Sequence, residues 1–265
     1  VQGALAAKFR NSGQTCVCAN RFFVQGGVYD RFVEEFTAAV GELRVGPGTE
    51  PNVSVGPLID DRALKKVKAL VDDAVSCGAE VTVGGNAEPT NGQFFPPTVL
   101  TSATTQMRLA TEEIFGPVAP IFRFDSEEEV LQLANRTEFG LASYFYSQDV
   151  NRCFRVAEAI ECGMVGVNTG MLSTVVAPFG GVKSSGVGRE GGRYGLDEYQ
   201  ELKYICLGGM RKFKNMFAVS AAIAALLAAG PAVFAQDAEK LKEAAPMGGG
   251  MMGGNGTSGM MGDQN

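Results

Sequence analysis

The chain has 265 residues, 45% of them apolar and 20% charged, enough to bury a core in one large domain or two small ones. Its formal net charge is −6 and its Lys and Arg residues form no stripe along a face, which sets aside nucleic-acid binding. Histidine is absent, which removes the commonest metal ligand and the commonest general base, and the six cysteines are too unevenly spaced for a disulfide framework.

In chain order, Val1–Arg10 predicts a helix, followed by a polar turn around Cys16 and a strand at Phe22-Phe23-Val24. Val28–Leu43 predicts an amphipathic helix with Phe32, Val33, Phe36, Val40 and Leu43 inward, stopped by Pro47 and Gly48. Asp60–Cys77 predicts a second, with Leu64, Val67, Val71 and Val75 inward and Gly78 at its end. Glu80–Val83 reads as a short strand, Phe94–Leu100 as extended chain that Pro96-Pro97 keeps from being helical, and Val118–Phe124 as a strand. Ser126 and Glu129 form a capping-box pattern at the start of the next helix. Leu141–Tyr146 predicts a strand, Val150–Glu161 a helix, and Met164–Asn168 a strand. Strands alternating with helices predict an α/β layer with a mainly parallel sheet flanked by helices. Glu201–Leu207 predicts a late, isolated strand, which the residues alone read as a buried edge within this chain.

The composition then changes. Arg211, Lys212 and Lys214 precede an apolar run, Met216–Ala229, with small residues around Val233-Phe234-Ala235, the layout of a secretory signal peptide. Residues 236–265 are Met- and Gly-rich, with no pattern that could bury a core. Two joined reading frames, with a start at Met210, explain an export signal in this place; a C-terminal hydrophobic anchor is the alternative. Val1 opens the chain without an initiator Met, which suits a truncated frame.

Chemistry concentrates in Phe9–Arg21, FRNSGQTCVCANR. Gly13 permits close backbone approach, and Cys16 sits in a short loop between a helix and a strand, where reactive groups concentrate. A buried structural cysteine is the alternative reading for Cys16 taken alone. Two more strings stand out: Glu112-Glu113-Ile114-Phe115-Gly116-Pro117, and PFGGVKSSGVGREGGR over Pro178–Arg193. The second contains Gly186-x-Gly188-x-x-Gly191, but no apolar strand precedes it and no apolar helix follows, so it reads as a turn-rich loop rather than a dinucleotide fingerprint.

These three strings, in this order, resemble the aldehyde dehydrogenase superfamily. Arg10 beside Asn11, with the Cys16-Val17-Cys18 pair, is similar to its succinate-semialdehyde branch. The resemblance spans Gln2 to about Gly209. It implies the following expectations. Cys16 is the nucleophile, forming a thioester, and its backbone N–H is one oxyanion donor. Glu113 binds the nicotinamide ribose of NAD or NADP, for which a carboxylate is an apt acceptor of two O–H bonds, and Phe115 packs near the ring. Lys66 matches a cofactor-reaching lysine, but the reading preferred for it is a surface helix lysine. Arg10 clamps the substrate carboxylate bidentately and Ser173 adds a hydroxyl donor. Cys18 is a possible redox partner of Cys16. The general-base Glu, the second oxyanion donor and a second clamping arginine are expected before Val1, so the chain alone is expected to turn over little. The expected reaction is NAD(P)-dependent oxidation of succinate semialdehyde to succinate; another aldehyde, or an inactive fragment joined to an exported protein, is the alternative. The implied organisation is a catalytic domain over residues 1–200 lacking its nucleotide-binding part, an oligomerisation strand at 201–209, a signal-peptide-like segment at 210–235 and a disordered tail at 236–265. A homodimer or homotetramer in the cytoplasm is expected for the enzyme part, with membrane contact only if 210–235 is retained as an anchor, and no metal.

Overall fold

In the computed structural model, which describes residues 1–86 and 92–209, the chain runs α1 (Gln2–Phe9), β1 (Phe22–Gln25), α2 (Tyr29–Gly41), α3 (Asp61–Ser76), β2 (Glu80–Val83), β3 (Thr98–Thr101) and β4 (Val118–Phe124). It continues through α4 (Glu127–Asn135), β5 (Phe139–Gly140), β6 (Ala142–Phe145), α5 (Val150–Ala159), β7 (Met164–Val167) and β8 (Val182–Lys183). The chain divides into two units at Leu202/Lys203, and the elements above all lie in the first.

The central sheet has the order β1-β4-β3-β2. β4 pairs in parallel with β1, Phe22 opposite Ile121, and with β3, Thr98 opposite Val118. Period-two alternation sends side chains to two different cores. On one face Phe22, Val24, Val99, Ala119 and Ile121 pack with Phe36 and Val40 of α2 and Phe9 of α1. On the other, Leu100, Val118 and Phe122 pack with Val67, Leu70, Val71 and Ala74 of α3. A sheet covered on both faces needs near-continuous apolar strands, and all four residues of β3 are buried. The expectation of a mainly parallel sheet holds for β1, β4 and β3 and is corrected at β2, which is antiparallel to β3 with an irregularity between Val81 and Val83. The sheet is therefore mixed. Two small pairs complete the unit, β6 with β7 in parallel and β5 with β8 antiparallel.

The local details follow the sequence with three further corrections. Asp60 caps α3 by accepting from the Ala63 N–H at 2.8 Å, but Val75, predicted inward, is 46% exposed; Leu70 and Ala74 take the inner face instead. Ser126 accepts from the Glu129 N–H at 3.2 Å, while the Glu129 carboxylate reaches back to the Asp125 N–H at 2.9 Å, one residue beyond the reciprocal box. The strand predicted over Glu201–Leu207 is not formed within the chain, and Leu202 is fully exposed, so these residues are no buried edge. The segments 210–235 and 236–265 lie outside the described residues. Among the described residues no helix is long and apolar enough to cross a membrane.

Candidate active site

β1 and β4 are adjacent and parallel, so the loops that lead into them emerge at the same edge of the sheet. One loop carries Cys16 and the other carries Glu113 and Phe115. The topology therefore brings together two strings almost a hundred residues apart.

α1 ends abruptly. Arg10 turns extended at φ −54°, ψ 131°, and Asn11, Ser12 and Gly13 then adopt positive φ of 50°, 57° and 76°. Two non-glycine residues in the left-handed region are strained and persist only when their surroundings hold them. Here they do: Ser12 Oγ donates to the Gly56 carbonyl at 2.9 Å, and Asn11 Nδ2 donates to the Gln14 carbonyl at 3.0 Å. Gln14 is fastened at both ends of its amide, Nε2 to the Pro57 carbonyl at 3.2 Å and Oε1 from the Ile59 N–H at 2.8 Å. Gly13 explains itself by proximity, since a Cβ there would lie 2.2 Å from the carbonyl oxygen of Gly116. The glycine of the thiol string thus rests on the glycine of the Glu113 string.

A tight turn follows, closed by the Cys18 N–H on the Thr15 carbonyl at 2.8 Å. Cys16 is exposed at its tip and Val17 is buried beneath it. Cys18 is half-buried, its thiol directed at the Arg10 carbonyl at 3.6 Å. Asn20 then stitches the two loops, its Nδ2 donating to the carbonyls of Leu109 (3.1 Å) and Glu112 (3.0 Å) while its Oδ1 accepts from the Ile114 N–H at 2.8 Å.

The structure separates the two adjacent glutamates. Glu112 is bonded bidentately to Arg108, at 2.7 and 2.9 Å, and that guanidinium holds its carboxyl below the usual range. Glu113 is exposed and has neither ion pair nor side-chain hydrogen bond among the described residues, so its carboxylate is available to hydroxyl donors. Phe115, at φ 51°, is presented outward with 37% of its surface exposed, while Gly116 behind it is buried. A free carboxylate next to an exposed aromatic ring suits the ribose and ring of a nicotinamide nucleotide. Lys66 is exposed on α3, as its surface reading expects.

Arg10 is half-buried, has no acidic partner among the described residues, and points Nη1 at the Met171 sulfur, 3.4 Å away. Met171 arrives on the loop that leaves β7. Asn168 anchors that loop through Ser147, at 2.9 and 2.8 Å, and Gly170 lies against the backbone of Gly3 in α1. Ser173 is exposed two residues further on and makes no hydrogen bond to Arg10. The loop over Pro178–Arg193 is built on a Phe179–Glu190 bridge and on Arg189, whose Nη1 donates to the Gly181 and Gly188 carbonyls at 2.8 and 2.7 Å. Among the described residues no α-helix follows it, in keeping with the reading as a turn-rich loop.

Sequence reasoning passed over Lys8. It is 1% exposed in the last turn of α1, and burial pushes its ammonium from the usual 10.5 down to about 8 against the pull of Cys18 and Glu113. A lysine four residues after Ala4, on the apolar side of a short helix, was the available signal. Tyr144 was also missed: its hydroxyl donates to the Val17 carbonyl at 2.9 Å, and nothing in its strand marks it. Among the described residues no metal-ligating group of three or more His, Cys, Asp or Glu is found.

An exposed thiol on a braced turn, beside donors from its own backbone, is the arrangement cysteine nucleophiles use to attack a carbonyl carbon. The comparisons narrow that class. Residues 1–205 match the aldehyde dehydrogenase family, and the chain belongs to it. It is 58% identical to a 3-sulfolactaldehyde dehydrogenase of Pseudomonas putida, over 79% of this chain and 43% of that protein. It is 55% identical to an NADP(+) succinate-semialdehyde dehydrogenase of Escherichia coli, over 78% of this chain and 43% of the relative. The solved succinate-semialdehyde dehydrogenase of Burkholderia pseudomallei superposes with a TM-score of 0.77 at 56% identity, covering 78% of this chain and 43% of that one. An NAD+ complex of an aldehyde dehydrogenase from Bacillus cereus superposes at 0.74, with 37% identity over 76% of this chain and 41% of that one. The chain thus spans less than half the length of the relatives it matches.

Proposed function

We propose that the chain carries the nucleophile, cofactor-ribose and substrate-clamp parts of an NAD(P)-dependent aldehyde dehydrogenase that oxidises succinate semialdehyde to succinate. The observation that carries this reading is the backbone contact of Gly13 with Gly116, which sets the Cys16 turn against the Glu113 loop. In this mechanism the Cys16 thiolate adds to the aldehyde carbon, and the carbonyl electrons move to an oxygen that accepts from the Cys16 N–H. Arg10 holds the substrate's far carboxylate and Ser173 donates a hydroxyl hydrogen to it. Glu113 would accept from the two ribose hydroxyls of a bound nicotinamide nucleotide, and Phe115 would pack beside its ring. A nicotinamide nucleotide, NAD or NADP, supplies the hydride acceptor when bound there. Water then hydrolyses the Cys16 thioester. The printed names of the relatives support the substrate class: 3-sulfolactaldehyde and succinate semialdehyde each pair an aldehyde with an anionic group.

The acylation step has a direct test. The mono-4-nitrophenyl ester of succinate should release nitrophenol while adding one acyl group at Cys16, and Arg10→Leu should slow it by about tenfold relative to 4-nitrophenyl propanoate. Acylation of Cys77 and Cys206, the other exposed thiols, as fast as Cys16 would sink the proposal.

Two further parts of the reading are proposed. Cys18 is the redox partner of Cys16: peroxide oxidises the Cys16 thiolate to a sulfenic acid, and the Cys18 thiol displaces water to form a reducible disulfide. Dithiothreitol should restore Cys16 labelling in the peroxide-treated protein and not in Cys18→Ala; equal recovery removes the switch. Residues 201–209 add a strand to a second copy, giving a cytoplasmic homodimer or homotetramer. Light scattering at monomer mass, over the micromolar range, would remove that assignment.

A further inference from the structure

The turn that presents Cys16 is tied down from a strand far away in sequence. Its central peptide group, between Val17 and Cys18, is held at both ends. The Cys18 N–H donates to the Thr15 carbonyl at 2.8 Å, and the Val17 carbonyl accepts from the Tyr144 hydroxyl at 2.9 Å. A peptide group is planar and turns as one unit, so holding both its N–H and its C=O restrains rotation of that unit within the turn. The Ala19 N–H then donates to the Ala7 carbonyl at 3.0 Å, which leaves the turn no free end.

Tyr144 is itself held in place. It sits in β6 opposite Gly166 of β7, and a Cβ on Gly166 would lie 2.8 Å from the tyrosine ring. The neighbouring strand thus gives up a side chain where the ring crosses it. Burial pushes the phenol up to about 12, so the hydroxyl remains a donor across the working pH range; Arg10 pulls the other way, while Cys18 and Cys16 add to the rise.

We propose that Tyr144 is a positioning residue for the nucleophile: by holding the Val17 carbonyl it keeps Cys16 at the tip of the turn and Cys18 behind it. This rests on the reading of Cys16 as the nucleophile and adds the element that presents it. The hydroxyl's hydrogen bond is to the Val17 carbonyl, so it acts through the backbone.

The test is competitive labelling of the full chain with iodoacetamide, each of the six cysteines being followed by mass spectrometry. Tyr144→Phe removes one oxygen, and Gly166→Ala displaces the ring with its hydroxyl intact. In both, the ratio of Cys16 to Cys18 labelling should fall by about fivefold, the shift expected for one lost hydrogen bond. The half-buried Cys153 and Cys162 should label at the wild-type rate. An unchanged ratio in both variants overturns the proposal, and so does a general rise at Cys153 and Cys162, which would mark a purely structural role. The nucleophile reading fails separately: wild-type Cys16 would then label no faster than the exposed Cys77 and Cys206, while the Cys16 to Cys18 ratio still reports on Tyr144.

Discussion

The two halves of the first unit are held together by different means. Up to Phe122, two apolar clusters sandwich the central sheet; among the described residues only Val156 and Met164 continue the buried apolar set beyond it. The half from Phe139 onward relies on short strand pairs, close glycine contacts and hydrogen bonds, and leaves Phe154 68% exposed on α5. The groups proposed as nucleophile and ribose acceptor, Cys16 and Glu113, stand on the well-packed half. The loop that brings Met171 to Arg10 comes from the thinner one. On the proposed reading the nucleophile sits where position is fixed by burial, while the loop that reaches the clamping arginine from the thinner half can change at small cost.

The largest effect should come from the core. Phe36 is fully buried against the rings of Phe9, Phe22 and Phe32, so Phe36→Ala should cost about 3–5 kcal/mol in urea unfolding, whereas Phe154→Ala should stay within about 0.5 kcal/mol. Equal losses at the two sites would erase the contrast between the halves.

A second measurement sharpens it by probing Lys8, the charged side chain buried in the packed half beside the thiol string. With its ammonium lowered from 10.5 to about 8, Lys8 is protonated in the unfolded chain and neutral in the folded one between those pH values. The unfolded state binds more protons there, so wild-type stability should rise from pH 8 to 10.5, and below about 8 the buried charge is a cost. Lys8→Met should therefore be more stable at neutral pH by about 3 kcal/mol and lose that rise. Denaturant midpoints measured across the alkaline range check it; a variant that keeps the slope would place its origin elsewhere.

The smallest effect concerns the junction of α4 with α5, where Glu127 bonds Arg155 at 2.6 Å and Arg152 at 2.9 Å. These guanidiniums draw its carboxyl from 4.5 down to about 2, so its contribution is present above 4.5 and is lost as pH falls toward 2. Glu127→Gln should lower the melting temperature slightly at neutral pH, and the difference should close in acid. A difference that persists at pH 2 would assign it to packing rather than charge.

How legible all this was depended on the range of the interaction. Helices with caps and a wide apolar face were readable because their determinants lie within a turn or two, as with Asp60 and Ala63. Val75 was misplaced because helical spacing gives the direction of a stripe and not its width, and α3 buries Leu70 and Ala74 on its inner side. The antiparallel β2 was unreadable, since strand direction is set by a connection and not by the residues of the strand. At the site, Cys16, Glu113 and Arg10 stood out through motif resemblance. What braces them did not: Asn20 and Tyr144 act on backbone atoms 94 and 127 residues away, and a pattern of side chains carries no record of which distant carbonyl it will meet.

The pairing of Gly13 with Gly116 has a consequence for anyone who would remodel this protein. Since a methyl at position 13 would meet a carbonyl oxygen at 2.2 Å, the segments around Cys16 and Glu113 behave as one interlocked piece. Moving either alone into a foreign scaffold would part the Cys16 thiol from the Glu113 carboxylate, so a successful graft has to carry both, together with the parallel strands that hold them at one edge.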